Sequence, residues 1–310
     1  MLTSALISKT DAGAPARPAE SAGGDLRVPQ SRWRERAAAL SALGIGCARM
    51  GSIRNHTPVS EIRRTLAAAL DHGVNVIDTA GIYAQGDSER IIGEAIAERR
   101  DQAFVITKIG FSHGSHSRLV TRLKPVLRLV SRYSRAFDAK LDRARDAVQS
   151  QNFSPGYLMD ALDGSLRRLG LNEVDGLLLH SPSGQVLEDD RVAEFLARAK
   201  RQGKVKHFGA SVETLPEARA ALDMEGLELL QVDIDTARDL ASGPACKIIG
   251  QRRIAVFARQ VLRPPGLAPD AAAPAIGEAL PAALAVPNVR CAIVGLSSRK
   301  HLLAAIKAIS

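Results

Sequence analysis

The chain has 310 residues, 45% of them hydrophobic, which is enough for one large domain or two ordinary ones with a sizeable core. Its formal net charge of +9 favours anionic partners, but no zinc-ligand spacing, RNA-binding aromatic motif or purely basic tract makes nucleic acid that partner. Three widely spaced cysteines and the absence of a long apolar run exclude a disulfide scaffold and a transmembrane helix, so we expect a cytoplasmic protein.

The first segment of the chain is predicted to be a tail. Residues 1–24 are rich in Ala, Gly, Pro and Ser and lack the apolar stretch of a signal peptide. We therefore expect a disordered tail over residues 1–30, followed by a single domain over residues 31–310.

Short apolar runs alternate with amphipathic stretches along the rest of the chain. The runs predict strands over 43–46, 74–78, 104–108, 174–180, 205–211, 229–233, 254–258 and 291–294. The stretches between and after them predict helices over 61–72, 87–99, 155–169, 187–202, 214–223, 237–250, 271–286 and 299–309. Ser154 is the expected cap of the third of these helices, and Asp87 or Ser88 the expected cap of the second.

Eight strand–helix units imply parallel strands with helices outside, an α/β architecture. The number of units favours a (β/α)8 TIM barrel over an open doubly wound sheet. An open sheet would also need a glycine fingerprint for a dinucleotide after the first strand, and residues 44–51 match it poorly.

One connection is much longer than a barrel requires. Residues 111–153, after the third strand, carry nine Lys or Arg against three Asp, and helices are predicted over 124–145. This helical insert could be a lid that favours an acidic substrate, or a solvated decoration. His113 and His116 at its start are interpreted as loop residues, because no third metal ligand accompanies them.

Four polar side chains end or follow three neighbouring strands: Asp78, Tyr83, Lys108 and His180. Consecutive parallel strands are adjacent in a barrel, so these side chains can converge on one rim. A Lys beside an Asp stays charged, and a cation lowers the pKa of a nearby phenol. Such a Tyr could exchange a proton with a carbonyl oxygen that a neutral His orients, while a nicotinamide cofactor supplies the hydride.

With these residues in place, the chain resembles the aldo-keto reductases, specifically bacterial-type members. The resemblance runs over residues 40–305, and its motifs together are far more specific than any one alone. They are Leu43-Gly-Ile-Gly46, Asn75-Val-Ile-Asp-Thr-Ala-Gly-Ile-Tyr83, Ser88-Glu-Arg-Ile-Ile-Gly93, Val105-Ile-Thr-Lys108, Ser165-Leu-Arg-Arg-Leu-Gly170, Val174-Asp-Gly-Leu-Leu-Leu-His-Ser-Pro182 and Gly203-Lys-Val-Lys-His-Phe-Gly-Ala-Ser211. The resemblance implies a catalytic tetrad of Asp78, Tyr83, Lys108 and His180, with Tyr83 as general acid.

The resemblance also implies a bound NADP(H), with NAD(H) not excluded. The positions it assigns to the cofactor are Gly46, Cys47, Ser211, Gln231, Arg259, Gly295, Ser297 and Arg299. Ser211 and Gln231 would hold the carboxamide, Arg259 would stack beside the nicotinamide, and the segment after the eighth strand would bind the adenosine side. Val212 departs from the family's Asn, Arg259 could instead form a rim salt bridge, and Cys47 could be a packing residue.

The sequence therefore predicts an NAD(P)H-dependent oxidoreductase that reduces a small aldehyde or ketone, or runs the reverse oxidation. The insert favours an acidic substrate, and Ala48 a bulky one. Val212, the short C-terminal segment and the insert leave open a catalytically weak regulatory or scaffold protein on the same barrel. An isomerase or elimination with transient oxidation, or nucleic-acid binding by the insert, are further alternatives.

Overall fold

The computed structural model describes residues 26–31, 39–52, 55, 57–112, 150–263, 265, 274–296 and 298–310. Its centre is a closed barrel of eight parallel strands, which confirms the predicted (β/α)8 architecture. The barrel strands are β3 (Leu43–Gly46), β4 (Val76–Asp78), β5 (Phe104–Ile109), β8 (Val174–His180), β9 (Val205–Ser211), β10 (Leu229–Asp233), β11 (Ala255–Arg259) and β12 (Val289–Val294).

Consecutive barrel strands are neighbours, and the last strand returns to the first. β12 pairs with β3 in parallel, Ala292 opposite Leu43, so the sheet has no open edge. Two antiparallel pairs lie outside the barrel: β1 (Gln30–Ser31) with β2 (Leu40–Ser41), and β6 (Phe111–Ser112) with β7 (Ser150–Gln151).

Helices surround the barrel. They are α1 (Val59–Asp71), α2 (Asp87–Ile96), α3 (Pro155–Leu169), α4 (Gly184–Leu187), α5 (Asp190–Arg201), α6 (Leu215–Asp223), α7 (Ile234–Leu240), α8 (Gly243–Arg252), α9 (Ile276–Leu284) and α10 (Arg299–Lys307). Two 3-10 helices, Tyr83–Gly86 and Ala97–Gln102, flank α2. Each outer helix buries one face against the sheet, as in α5, whose Val192, Phe195, Leu196 and Ala199 are buried at helical spacing.

The core has two layers, as a barrel requires. Side chains that point inward from the strands fill the interior, among them Phe104, Ile106, Leu178, Leu229, Phe257 and Ile293. A larger cluster lies between the strands and the helices. The backbones of β9 and β10 approach each other so closely that a Cβ on Gly209 would collide with the carbonyl of Leu229.

Two predicted helices differ from those observed. The single helix predicted over 237–250 is two helices, α7 and α8, because Gly243 takes a left-handed φ of 65° and Pro244 starts a new helix. The helix predicted over 187–202 likewise divides into α4 and α5, and Asp189 caps α5 by accepting from the backbone N–H of Arg191. Ser154 stands at the N-cap of α3 but makes no capping hydrogen bond with its side chain.

The predicted tail and insert are described only in part. Residues 26–31, most of them inside the predicted tail, lie against the barrel: Val28 is buried and Gln30 pairs with Ser41. These residues of the predicted tail bury an apolar side chain and gain strand pairing. At the insert, β6 and β7 bring its two ends together, while residues 113–149, with His113 and His116, lie outside the described residues.

Candidate active site

The loop that carries Tyr83 has an unusual backbone. Asp78 ends β4, and the chain then turns through Ala84 and Gln85, both with positive φ (50° and 55°), to Gly86 at 86°. Such conformations cost energy for residues with a side chain and persist where the surroundings impose them. Gly86, rather than Asp87 or Ser88, occupies the N-cap of α2, because only glycine adopts the left-handed conformation there freely.

An ion pair beneath the loop stabilises its conformation. Glu89 is fully buried, accepts from Arg168 Nε at 2.6 Å, and accepts from Thr107 Oγ1 at 2.6 Å. The Arg168 side chain lies directly against Gly86, where it leaves no room for a Cβ. α2, α3 and β5 are thereby tied together under the Tyr83 loop.

Asp78, Lys108 and Tyr83 form one connected chain of polar groups. Lys108 Nζ lies 2.7 Å from Asp78 Oδ1 and donates to the Tyr83 hydroxyl at 3.3 Å and to the Thr79 carbonyl at 3.1 Å. The Lys108 and Asp78 side chains are 1% and 7% exposed, so the pair is removed from water. The structure thus brings three predicted residues together, with the ammonium group between a carboxylate and a phenol.

His180, at the end of β8, completes the group. Its ring lies edge-on to that of Tyr83, with centroids 5.8 Å apart, and edge-on to that of Phe111 at 4.9 Å. Phe111 belongs to β6, and its backbone carbonyl accepts a hydrogen bond from Tyr157 Oη at 2.7 Å. The β6–β7 pair therefore supplies an aromatic wall beside His180, which the sequence reasoning did not identify.

The expected lowering of the Tyr83 pKa is wrong for this structure. Burial raises the pKa of the phenol above its ordinary value of 10.0, and the opposing attraction of Lys108 is too small to reverse that. The pKa of Lys108 is itself raised: burial acts to lower it, but the combined attraction of Asp78 and Tyr83 outweighs burial. At neutral pH the site therefore holds a protonated phenol beside an ammonium group, a set of proton donors.

The raised pKa of Tyr83 predicts how this phenol titrates in the protein without ligand. We expect the Tyr83 phenol to ionise only above pH 10, seen as phenolate absorbance present in the wild type and missing from Tyr83→Phe. A reaction in which this phenol donates its proton should lose rate as pH rises through that pKa, while the reverse reaction gains rate. If the difference titration between wild type and Tyr83→Phe had its midpoint well below pH 10, burial would not be the largest influence on the pKa of Tyr83.

A second hydrogen-bonded group adjoins the first. Gln231 Nε2 donates to Asp78 Oδ1 at 3.0 Å, and Ser211 Oγ donates to Gln231 Oε1 at 2.8 Å. Both residues are buried: Ser211 is the last residue of β9, and Gln231 lies within β10. The side-chain amide of Gln231 has two N–H donors, and its carbonyl oxygen has two lone pairs. One N–H and one lone pair therefore remain for a ligand amide. Val212, by contrast, is a fully buried packing residue whose carbonyl accepts from Arg259.

Arg259 and Glu213 form a third polar group on the rim. Arg259 Nη2 donates to Glu213 Oε2 at 2.7 Å, and Ser181 Oγ donates to Glu213 Oε1 at 2.9 Å. Arg259, expected either to stack beside the nicotinamide or to form a rim salt bridge, forms a salt bridge in this structure. Glu213 and Ser181 are not among the predicted site residues, although Ser181 lies within the motif that ends at Pro182.

The remaining predicted cofactor positions differ in accessibility. Gly46 ends β3 half-buried, whereas Gly295 is exposed with open space around it and Arg299 is exposed at the start of α10. Cys47 is fully buried, its Sγ donates to the Ile45 carbonyl, and burial raises the pKa of its thiol. Ser297 lies outside the described residues.

A large cleft of about 1400 Å³ opens at the other end of the barrel, where helices lead into strands. Its charged lining is largely paired internally: Arg100 lies 2.7 Å from Asp175, and Lys206 lies 3.1 Å from Glu173. Since the converging polar groups lie at the strands' carboxyl ends, where barrel enzymes place their sites, we assign the chemistry there and not to this cleft.

Two further findings concern the described part of the chain. Within it, no group of three or more His, Cys, Asp and Glu side chains is arranged to hold a metal ion. Among the same residues, no helix has the length and apolar character needed to cross a membrane.

The sequence of this chain is similar to those of known proteins. A model of the aldo/keto reductase family matches residues 42–238, a range that includes Tyr83, the three residues grouped with it and the Ser211–Gln231 pair. A pyridoxal 4-dehydrogenase from Microbacterium luteolum is 27% identical over 205 residues, 61% of this chain and 57% of that protein. The chain spans about half the length of the curated relatives it matches.

Solved structures agree on the fold. Aldo-keto reductase AKR11C1 from Bacillus halodurans superposes with a TM-score of 0.67 at 20% identity, covering 92% of this chain and 91% of that one. An aldo/keto reductase from Klebsiella pneumoniae, crystallised with NADP and acetate, gives a TM-score of 0.57 at 23% identity, covering 88% and 87%. At these identities the likeness shows the barrel fold.

Proposed function

Because the chain belongs to the aldo/keto reductase family, we propose that it is an NADP(H)-dependent oxidoreductase that reduces an aldehyde or ketone to an alcohol. One observation carries the proposal: the unbroken Asp78–Lys108–Tyr83 contact chain beside His180 at the carboxyl ends of β4, β5 and β8. This arrangement supports a proton donor and an orienting ring that act on one carbonyl oxygen.

Tyr83 is the proton donor in this proposal. Its raised pKa keeps the hydroxyl protonated near neutral pH, so the proton is available when negative charge develops on the substrate oxygen. Lys108 contributes a fixed positive charge 3.3 Å from the phenol oxygen, which stabilises the phenolate left after transfer. Asp78 keeps Lys108 charged and in place, and His180 orients the substrate oxygen.

The residues present fit a nicotinamide cofactor. The spare N–H and lone pair of Gln231, with Ser211 beside it, match the donor and acceptor of a carboxamide. Exposed Gly295 and Arg299 lie at the N-terminus of α10, where backbone N–H groups and the helix dipole favour phosphate. When bound, the cofactor supplies the hydride that these side chains cannot. The Klebsiella relatives crystallised with NADP and NADPH support the choice of nucleotide.

The substrate is proposed only as a class. The pyridoxal and pyridoxine 4-dehydrogenases among the relatives favour a small molecule bearing an aldehyde or primary alcohol on an aromatic ring. The ring of Phe111, edge-on to His180, suits an aromatic substrate at this wall. We therefore propose pyridoxal-like aromatic aldehydes as the first substrates to assay.

The test is a fluorescence titration of the protein with NADPH and NADH, followed by turnover of an aromatic aldehyde. We expect saturable binding, tighter for NADPH, and weaker NADPH binding in Arg299→Gln but not in the exposed control Arg219→Gln. Binding without turnover of any carbonyl would favour the regulatory alternative, for which the potassium-channel β-subunit relative from Schizosaccharomyces pombe is the precedent. Absence of binding by both nucleotides would overturn the proposal.

A further inference from the structure

A carboxylate joins three strand ends on the rim of the site. Glu213, two residues beyond β9, accepts from Ser181 Oγ next to β8 and from Arg259 Nη2 at the end of β11. Arg259 Nη2 also donates to the Val212 carbonyl at 2.7 Å, so the guanidinium is fixed from two sides. The Arg259 side chain is 17% exposed, which is low for a rim arginine.

The charge of Arg259 acts on the reacting centre. Its positive charge is felt at Tyr83, where it acts to lower the pKa of the phenol against the larger effect of burial. Its Nε is buried and has no hydrogen-bond partner among the described residues, so this guanidinium is incompletely satisfied. A hydride donor must come within about 3–3.5 Å of a carbonyl carbon held at Tyr83. If Ser211 and Gln231 hold the carboxamide as proposed, the donor ring would lie beside the ends of β9 and β10, next to the end of β11, where Arg259 lies.

The two redox forms of a nicotinamide differ by one charge on that ring. An unneutralised guanidinium near the ring would repel the cationic oxidised form and leave the neutral reduced form unaffected. A carboxylate 2.7 Å from the guanidinium turns that charge into a dipole, whose effect at the ring is much smaller. We infer that Glu213, by neutralising Arg259, sets the relative affinity of the site for oxidised and reduced cofactor. The inference rests on the proposed function, because it concerns the cofactor proposed above.

A plain structural role for Glu213 makes a different prediction. If the ion pair only holds the rim in shape, its loss would weaken the binding of both cofactor forms by the same factor. Glu213 is 53% exposed, and pairs of that kind contribute little to folding, so its substitution leaves the barrel intact. The ratio of the two dissociation constants is therefore the quantity that separates the roles.

The experiment measures the dissociation constants of NADP⁺ and NADPH for the wild type and Glu213→Gln. The glutamine keeps the shape and an acceptor for Ser181 but removes the charge. We expect the ratio of the NADP⁺ constant to the NADPH constant to rise about tenfold, equivalent to about 1.4 kcal/mol. The same rise is expected for NAD⁺ and NADH, because the change lies at the ring and not at the 2′-phosphate. Glu225→Gln, an exposed glutamate between α6 and β10 at the other end of the barrel, is the charge-matched control.

The route through Arg259 is tested with Arg259→Gln and with the double variant Arg259→Gln, Glu213→Gln. Arg259→Gln leaves the Glu213 carboxylate unpaired, so the ratio should fall below that of the wild type, and removing both charges should return it close to the wild-type value. An unchanged ratio in Glu213→Gln, an equal loss of both affinities, or a double variant whose ratio stays far from that of the wild type would each overturn the inference. A wild type that binds neither redox form would instead overturn the proposed function, and the inference with it.

Discussion

Replacing Tyr83 with Phe is expected to reduce kcat for carbonyl reduction by about 10²–10⁴-fold while leaving NADPH affinity within a few-fold of wild type. The substitution removes only the hydroxyl that receives the Lys108 hydrogen bond, and the ring keeps its edge-on contact with His180. The loss should therefore appear in the chemical step and not in cofactor binding. Single-turnover kinetics with an aromatic aldehyde, together with a fluorescence titration, would separate the two.

The chain offers a matched control for this change. Tyr157→Phe also removes one phenol hydroxyl, which donates to the Phe111 carbonyl and does not contact Tyr83, Lys108 or His180 in the described structure. We expect it to retain most of the activity. Comparable rates in Tyr83→Phe and wild type would show that another group donates the proton, and the assignment of Tyr83 as general acid would fail.

Replacing Lys108 with Met is expected to lower the free energy of unfolding by about 3–5 kcal/mol and to abolish reduction. Asp78, 7% exposed, would then be a buried carboxylate without its cation, with the hydrogen bond from Gln231 as its remaining side-chain contact among the described residues. Removing one partner of a buried pair costs more than the pair itself contributes, because the remaining charge stays desolvated. Urea denaturation followed by circular dichroism gives the free energy directly.

A double substitution tests that explanation. Asp78→Asn combined with Lys108→Met removes both charges, so most of the lost stability should return while activity stays absent. If the double variant is as unstable as the sum of the two single variants, the loss comes from packing and not from an unpaired charge. Lys204→Met, which removes a partly exposed partner of Asp163, should cost at most about 1 kcal/mol.

The barrel was predictable because its strands are buried on both faces. Runs such as 174–180 and 205–211 contain enough apolar residues to be recognised without an alternating pattern, and both match the observed strands. Helix boundaries were less accurate where one residue decides them. Gly243 divides a continuous amphipathic stretch by its backbone conformation, and the sequence does not distinguish that conformation from an ordinary helical glycine.

The site was predictable where each residue follows its own strand. Asp78, Lys108 and His180 could be placed at strand ends, and parallel order made them neighbours. Glu213 was not found this way, since its partner Arg259 ends a strand two places away, with β10 between them, and meets it only through the barrel's register. The direction of the shift in the Tyr83 pKa was also beyond the sequence, because it depends on whether burial outweighs the nearby charges.

The closure of the barrel by β12 against β3 has a consequence for how the protein is made. About 250 residues separate these two strands. At about 5–20 residues translated per second, β3 is therefore synthesised roughly 10–50 seconds before its pairing partner β12. Until β12 emerges, the edges of β3 and β11 present unpaired backbone N–H and C=O groups to other nascent chains. The growing polypeptide therefore remains open to strand pairing with other chains until β12 has been made, and chaperone binding should protect it most before that point.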